Sequence, residues 1–175
     1  MKKILILLFV VISAVSAKAQ FYVAGSASLW HNNDADVTSF MIAPEVGYEL
    51  NKNWSIGATL YFKHSKKEVK DDLNVTWNGF AFAPYARYTF LNSKVVSLFV
   101  DGGLGVSSQK YKGQDSEAGF EIGVKPGIAI KLGNHLSFVT KYGFLGYRDD
   151  YMFGETGYGF GASSEDLSIG FHYIF

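Results

Sequence analysis

Two pairs of side chains in the sequence have the residue types of a nucleophilic catalyst. His135 and Ser137 are two residues apart, so in a β-strand their side chains would share one face. A general base and the nucleophile that it activates must lie on the same face to be in contact. His64 and Ser65 are adjacent and would point to opposite faces, so they form no dyad. The sequence therefore predicts no catalytic residue, with His135 and Ser137 kept as an alternative.

Acidic residues give equally weak evidence for a metal site. Short clusters occur at residues 34–36, 71–72 and 149–150, but none continues into a calcium-loop pattern with the required later glutamate. The chain has no cysteine, so thiolate zinc sites and disulfides are excluded. The glycines of 157–161 do not join a strand to a helix, as a phosphate-binding loop would. No metal and no cofactor is predicted.

The first 19 residues read as a secretory signal peptide. Two lysines precede an apolar run from Ile4 to Ile12, which is too short to span a membrane. Ala17 and Ala19 form a small-x-small cleavage site, which predicts a mature domain over 20–175. Cleavage would remove three lysines and leave 13 basic against 16 acidic residues, a net charge of −3. No basic patch indicates nucleic acid.

After this segment, alternation with a period of two dominates, which predicts an all-β fold. Short turns at 51–53, 91–94 and 133–135 alternate with longer polar loops, of which 148–165 is the longest. This arrangement is typical of an eight-stranded antiparallel up-and-down barrel in an outer membrane. Three prolines begin similar segments, and each is expected at a bulge or a weak strand pairing. The predicted strands are 21–31, 38–50, 54–64, 74–90, 95–107, 117–132, 136–147 and 166–175.

The two faces of these strands differ sharply in composition. Most even positions in the second to seventh strands are large and apolar, and none is charged, whereas odd positions are mostly small, with many glycines and alanines and a few charges. A narrow lumen needs small residues, while the bulky face fits against lipid, so a transmembrane β-barrel is predicted. Buried charges must pair. The predicted lumen salt-bridge network is Glu45, Glu49, Arg87, Asp101, Glu121, Lys125, Lys131 and Lys141.

The last strand carries the family resemblance. Residues 167–175 alternate apolar and polar side chains and end on an aromatic residue. Together with the signal peptide and the eight strands, they resemble the small outer-membrane β-barrels of Gram-negative bacteria, the OmpA/OmpX-like group. The resemblance implies that Phe171, Tyr173 and Phe175 form an assembly signal for the barrel-assembly machinery. It also implies an outer-membrane location in contact with lipopolysaccharide. The protein is expected to be a monomer.

Function is predicted less sharply than fold. The leading hypothesis is a non-enzymatic barrel that supports envelope integrity or binds surface ligands through its loops. One alternative is a lipid A deacylase-like enzyme, because some outer-membrane barrels of that kind use a His-x-Ser pair. Against it, His135 lies at a predicted periplasmic turn and, as an odd-numbered residue, would point into the barrel. The other is a soluble lipocalin-like barrel with the apolar face inside. The predicted loop binding surface, which could equally dip into the membrane interface, is Tyr151, Met152, Phe153, Tyr158 and Phe160.

Overall fold

The computed structural model describes residues 20–32, 37–69, 73–111, 115–153, 156–162 and 167–175. The predicted signal peptide, residues 1–19, lies outside the described residues. Within the described part, no helix is long and apolar enough to cross a membrane. The strands are β1 (Gln20–Asn32), β2 (Val37–Glu49), β3 (Trp54–Val69), β4 (Leu73–Asn92), β5 (Val96–Tyr111), β6 (Ser116–Lys131), β7 (Leu136–Lys141), β8 (Phe144–Asp149), β9 (Gly157–Gly161) and β10 (Ser168–Ile174).

The strands close into a barrel with eight positions around its wall. β1 to β6 pair in sequence order, each antiparallel to the next. β7 pairs with β6 and with β10, and β10 pairs with β1, which completes the ring. Closure satisfies the backbone hydrogen bonds of strands that cross a bilayer. The predicted eight-stranded antiparallel barrel is confirmed.

The seventh wall position is built from β7 and β8, which are separated by a β-bulge. Gly127 pairs with Lys141 and Val124 pairs with Leu145, so three residues, 142–144, oppose two, 125–126. Gly143 has a φ of 90°, a conformation that favours glycine. A bulge of one residue reverses which side chains face inward. The prediction of one regular strand over 136–147 was therefore wrong.

The eighth wall position is also divided. β10 occupies the half near the short turns, which we call the turn side. In the half near the long loops, the loop side, β9 pairs with β8, and Gly161 lies opposite Phe144. The sequence alone predicts a loop for the residues of β9, because five residues with three glycines lack a strand signal. β1 pairs with β2 along its whole length, but in the described residues no strand pairs beyond Ala27 with its other edge, and none pairs with the second edge of β9.

The three prolines lie where strand pairing is interrupted. The β2–β3 pairing omits Pro44, the β4–β5 pairing omits Pro84, and Pro126 lies opposite the β7–β8 bulge. Each proline still pairs with its neighbour on the other side. Since proline cannot donate a ladder hydrogen bond, interruption on one side is the expected result. The prediction for the prolines is confirmed.

The apolar face of the wall points outward. Phe40, Ile56 and Phe82 are each 42–48% exposed, while their sequence neighbours on the opposite face lie inside. The buried side chains inside the barrel include Tyr22, Ala81 and Phe99. This orientation excludes the soluble barrel with an apolar interior, because the large apolar side chains are on the outside. The barrel is built to be surrounded by lipid.

Candidate functional site: a closed lumen with an outer plug

Four charged side chains meet across the middle of the lumen. Arg87 Nε lies 2.6 Å from Asp101 Oδ1, and Arg87 Nη2 lies 3.1 Å from Glu45 Oε1. Lys141 Nζ lies 2.8 Å from Glu45 Oε2 and 2.9 Å from Asp101 Oδ2. Each cation therefore contacts both carboxylates, and the formal charges cancel. We call these four residues the quartet.

Neutral side chains complete the hydrogen bonding of the quartet. The Tyr85 hydroxyl donates to Glu45 Oε1, and the Thr59 hydroxyl donates to Glu45 Oε2 at 3.3 Å. The hydroxyls of Tyr22 and Tyr85 lie 2.6 Å apart. The Arg87 guanidinium also stacks on Phe99, 4.1 Å from the ring centroid. Because buried charges are costly unless every charge is paired and hydrogen-bonded, these contacts make the quartet a fixed barrier.

A second charged cluster lies on the loop side of the quartet. Glu121 accepts from Lys125 Nζ at 2.5 Å and from Arg148 Nε at 3.2 Å. Arg148 stacks over Phe144, 3.9 Å from the ring centroid. The sequence alone predicts Arg148 in a loop and Phe144 on the lipid face. The β7–β8 bulge turns both inward, where Phe144 is 5% exposed.

Two of the predicted network residues lie apart from both clusters. Lys131 Nζ donates to Asn92 Oδ1 at 2.5 Å and to the Ser93 carbonyl at 2.7 Å. Glu49 has a half-buried side chain and makes no salt bridge within the described part of the chain. Both residues line a polar cavity of about 400 Å³ on the turn side of the quartet. We call this cavity the vestibule; the predicted single network is thus divided among three regions.

On the loop side, a segment of the longest predicted loop, 148–165, folds into the barrel. Tyr151, Met152 and Phe153 are 3–6% exposed and pack against Met41, Tyr61 and three alanines of the wall. Met152 N donates to Ser107 Oγ at 3.2 Å, and Lys63 Nζ donates to the Met152 carbonyl at 3.3 Å. We call residues 151–153 the plug. The prediction that these three side chains lie on an exposed binding surface was wrong, because they fill the lumen instead.

Glycines in the wall create the space that the plug occupies. A methyl group added at Gly119 would lie 1.9 Å from the Asp150 carbonyl oxygen. One added at Gly105 would lie 2.5 Å from the Tyr151 hydroxyl oxygen. Burial raises the pKa of Tyr151 above its ordinary value, so its phenol remains neutral in the lumen. The plug therefore fits the inner wall closely, as side chains in a protein interior do.

The residues proposed for catalysis are not brought together. His135 is exposed, its Nδ1 lies 2.8 Å from the Ile174 carbonyl, and its ring stacks with Tyr173, a lipid-facing residue. Ser137 instead lines the vestibule, together with His172. The inward position expected for His135 was wrong. Within the described residues, no group of histidine and acidic side chains could hold a metal ion.

A family model for the outer membrane protein beta-barrel domain matches residues 4–175. The chain belongs to this family. The protein is therefore located in the outer membrane, which agrees with the sequence resemblance and with the apolar outer face.

Solved structures of other proteins are similar to this chain. Neisserial surface protein A is 14% identical, with a TM-score of 0.53, and the alignment covers 90% of this chain and 96% of that one. Ail of Yersinia pestis in a phospholipid nanodisc is 18% identical, with a TM-score of 0.48, and the alignment covers 90% and 100% of the two chains. A search of curated proteins finds no match by sequence. At these identities the likeness concerns the fold alone.

Because the protein lies in the outer membrane, the remaining predicted residues can be placed relative to the lipid. Phe171, Tyr173 and Phe175 are 42–61% exposed on the lipid side, and the Phe171 ring contacts Phe138 at 5.8 Å between centroids. Tyr158 and Phe160 of β9 are 90% and 71% exposed and lie opposite Tyr147 and Leu145 on the outer face. The five predicted loop residues thus separate into an internal plug and an external pair.

Proposed function

We propose that this outer-membrane protein is a non-enzymatic barrel with a closed lumen, which supports envelope integrity or binds surface ligands through its outer hairpins. The observation that carries the proposal is the double closure of the lumen by the quartet and the plug. Eight-stranded barrels are just wide enough for side chains to fill the interior. A lumen filled in this way supports a structural or binding role better than transport.

The outer hairpins support the binding part of the proposal. A strand needs about 9–11 residues to cross the hydrocarbon region. β3 has 16 residues and β4 has 20, so this hairpin extends well beyond the span on the loop side. β5 and β6 have 16 residues each and form a second long hairpin. Long paired hairpins standing above the bilayer would present their ends to ligands outside the cell.

Planar-bilayer recording tests the closed lumen. The wild-type protein is expected to show no stepwise conductance, since the quartet leaves no open path. A plug variant with Tyr151→Gly, Met152→Gly and Phe153→Gly should also remain closed, because the quartet still bars the lumen. Adding Arg87→Ser and Lys141→Ser to that variant should produce conductance. Steady channels in the wild type would contradict the proposal.

A deletion strain tests the role in the cell. Loss of the protein is expected to increase sensitivity to detergents, and the wild-type gene should restore resistance. A version whose β3–β4 hairpin is shortened beyond Lys66 and Thr76, a register pair, separates the two roles. If it restores resistance but loses adhesion to a host-cell surface, the barrel supports integrity and the hairpin binds. Normal resistance and normal adhesion in the deletion strain would contradict both roles.

Mass spectrometry of lipid A tests the non-enzymatic character. Expression of the protein should leave the acyl chains of lipid A unchanged, since His135 and Ser137 have separate surroundings. Loss of an acyl chain that depends on Ser137 would establish the enzyme alternative instead.

A further inference from the structure

The vestibule is a pocket with one open end. Its lining includes exposed residues from all three short turns, namely Asn51, Lys52, Asn92, Lys94, Gly133 and Asn134. At the other end the lining includes Arg87 of the quartet. The short turns of an outer-membrane barrel face the periplasm. The vestibule is therefore reached from the periplasm and ends at the quartet.

The size of the vestibule suits a small ligand. Its volume of about 400 Å³ lies within the range of roughly 300–1,000 Å³ that is typical of small-molecule sites. Its lining is mostly polar, and Phe99 and Ile174 contribute apolar surface. A few polar groups on a partly apolar wall are the usual composition of such sites.

The charged side chains of the vestibule are mostly basic. Its lining includes Lys52, Lys94 and Lys131 but only one acidic side chain among the described residues, Glu49. The charge of Arg87 is already balanced by the carboxylates of the quartet. Three lysines therefore face one glutamate, although the predicted mature chain is acidic overall. A pocket of one charge sign with low-dielectric walls concentrates its electric field, so this pocket attracts anions.

Two buried polar side chains of the lining lack partners. His172 is 7% exposed, and its Nε2 has no hydrogen-bond partner among the described residues. The quartet's hydrogen bonds use Nε and Nη2 of Arg87, and Nη1 makes none of them. Because buried polar groups are almost always hydrogen-bonded, these atoms indicate an occupant of the vestibule. Water would satisfy the hydrogen bonds, but an anion would also balance the excess positive charge.

The register of the wall brings three donors into one row. Lys131 of β6 pairs with Ser137 of β7, and Ser137 pairs with His172 of β10. All three residues line the vestibule. Directly paired residues have their Cα atoms only about 4.5–5.5 Å apart, so their side chains can contact one ligand group. Lys131 Nζ bonds to Asn92 and Ser93, which leaves a further N–H for a ligand.

We propose that the vestibule binds the phosphate group of a small periplasmic solute. The phosphate accepts hydrogen bonds from Lys131, Ser137 and His172, while Lys52 and Lys94 attract it to the mouth. A phosphate presents more acceptor oxygens than a carboxylate and suits a row of several donors better. This inference rests on the outer-membrane location and goes beyond the proposed role of the outer hairpins.

A phosphorus-31 NMR titration with inorganic phosphate tests the proposal on the folded protein in uncharged detergent micelles. The wild type is expected to bind one phosphate per chain at low ionic strength. Lys131→Met should weaken binding about tenfold, because it removes a charge-assisted hydrogen bond. Lys110→Met is the matched control, since it removes the same charge from an exposed position at the loop end of β5. Heat-dependent mobility in SDS verifies that each variant is folded.

A change of opposite sign is expected at the acidic position of the lining. Glu49→Gln should tighten phosphate binding, because it removes a negative charge from the vestibule without changing the shape of the side chain. Unchanged or weaker binding by Glu49→Gln would overturn the proposal. An absence of wild-type binding, or equal losses in Lys131→Met and Lys110→Met, would also overturn it.

A second titration distinguishes a soluble phosphate from a lipid headgroup. Phosphatidylglycerol dispersed in the same micelles is expected to bind without dependence on Lys131. Binding of this lipid in the absence of binding by inorganic phosphate would identify a headgroup site and overturn the assignment to a solute.

Discussion

The two halves of the lumen are closed in different ways. On the turn side, the strands themselves surround the polar vestibule of about 400 Å³, whose lining includes Glu49 and Lys131. On the loop side, the chain re-enters the barrel and fills it with the plug. The quartet separates the two halves. An eight-stranded wall therefore does not by itself determine how its interior is filled, because the loops contribute as well.

The largest expected effect comes from the boundary between the two halves. Arg87→Met leaves Glu45 and Asp101 with one shared cation, Lys141. Removing one partner of a buried ion pair costs about 3–5 kcal/mol, because the remaining charge is uncompensated. The free energy of unfolding, measured by urea titration in lipid vesicles, should fall by about this amount. A fall below about 1 kcal/mol would show that water reaches the quartet from the vestibule.

An intermediate effect is expected on the loop side. Gly119→Ala places a methyl group 1.9 Å from the Asp150 carbonyl, so the plug must shift. Overpacking of this kind costs about 1–3 kcal/mol, measured by the same urea titration. Gly133→Ala, at a turn where an added methyl meets nothing within 4 Å, is the control and should change stability by less than about 0.5 kcal/mol. Equal effects of the two substitutions would mean that the plug does not fit tightly.

The smallest effect is expected in the vestibule. Lys131→Met removes hydrogen bonds to Asn92 and Ser93, but water can replace the lysine there. The expected loss of stability is about 0.5–1 kcal/mol by urea titration. Lys52→Met, at the rim of the same cavity, should have a still smaller effect. A loss as large as that of Arg87→Met would remove the distinction between the vestibule and the quartet.

The sequence predicts the wall well because alternation in each strand is local. Their even numbers alone place Phe62 and Phe80 on the lipid face, and their odd numbers place Arg87 and Asp101 on the inner face. The β7–β8 bulge could not be placed, because Tyr142, Gly143 and Phe144 fit an uninterrupted alternation equally well. Pro126, which lies opposite the bulge, was the available signal. Without the bulge, Arg148 could not be assigned to the lumen.

The plug could not be predicted for another reason. Tyr151 and Phe153 are suited to an exposed binding loop and to a buried interior alike. Their burial depends on small residues from distant strands, among them Ala43, Ala81 and Gly105. These residues come together only in three dimensions, so no spacing along the chain reveals the space they leave. The external position of Tyr158 and Phe160 likewise depends on the pairing of β9 with β8.

The short final strand has a consequence for the order of folding. β10 joins β1 over the register pairs from Tyr22–Ile174 to Ala27–Ile169, residues about 150 positions apart in sequence. The β3–β4 hairpin, in contrast, forms from neighbouring segments. Contacts between distant segments form slowly, because the entropy of a long chain closure precedes any gain from pairing. The hairpins are therefore expected to assemble first, and the rate of refolding should be set by the few residue pairs that close the ring.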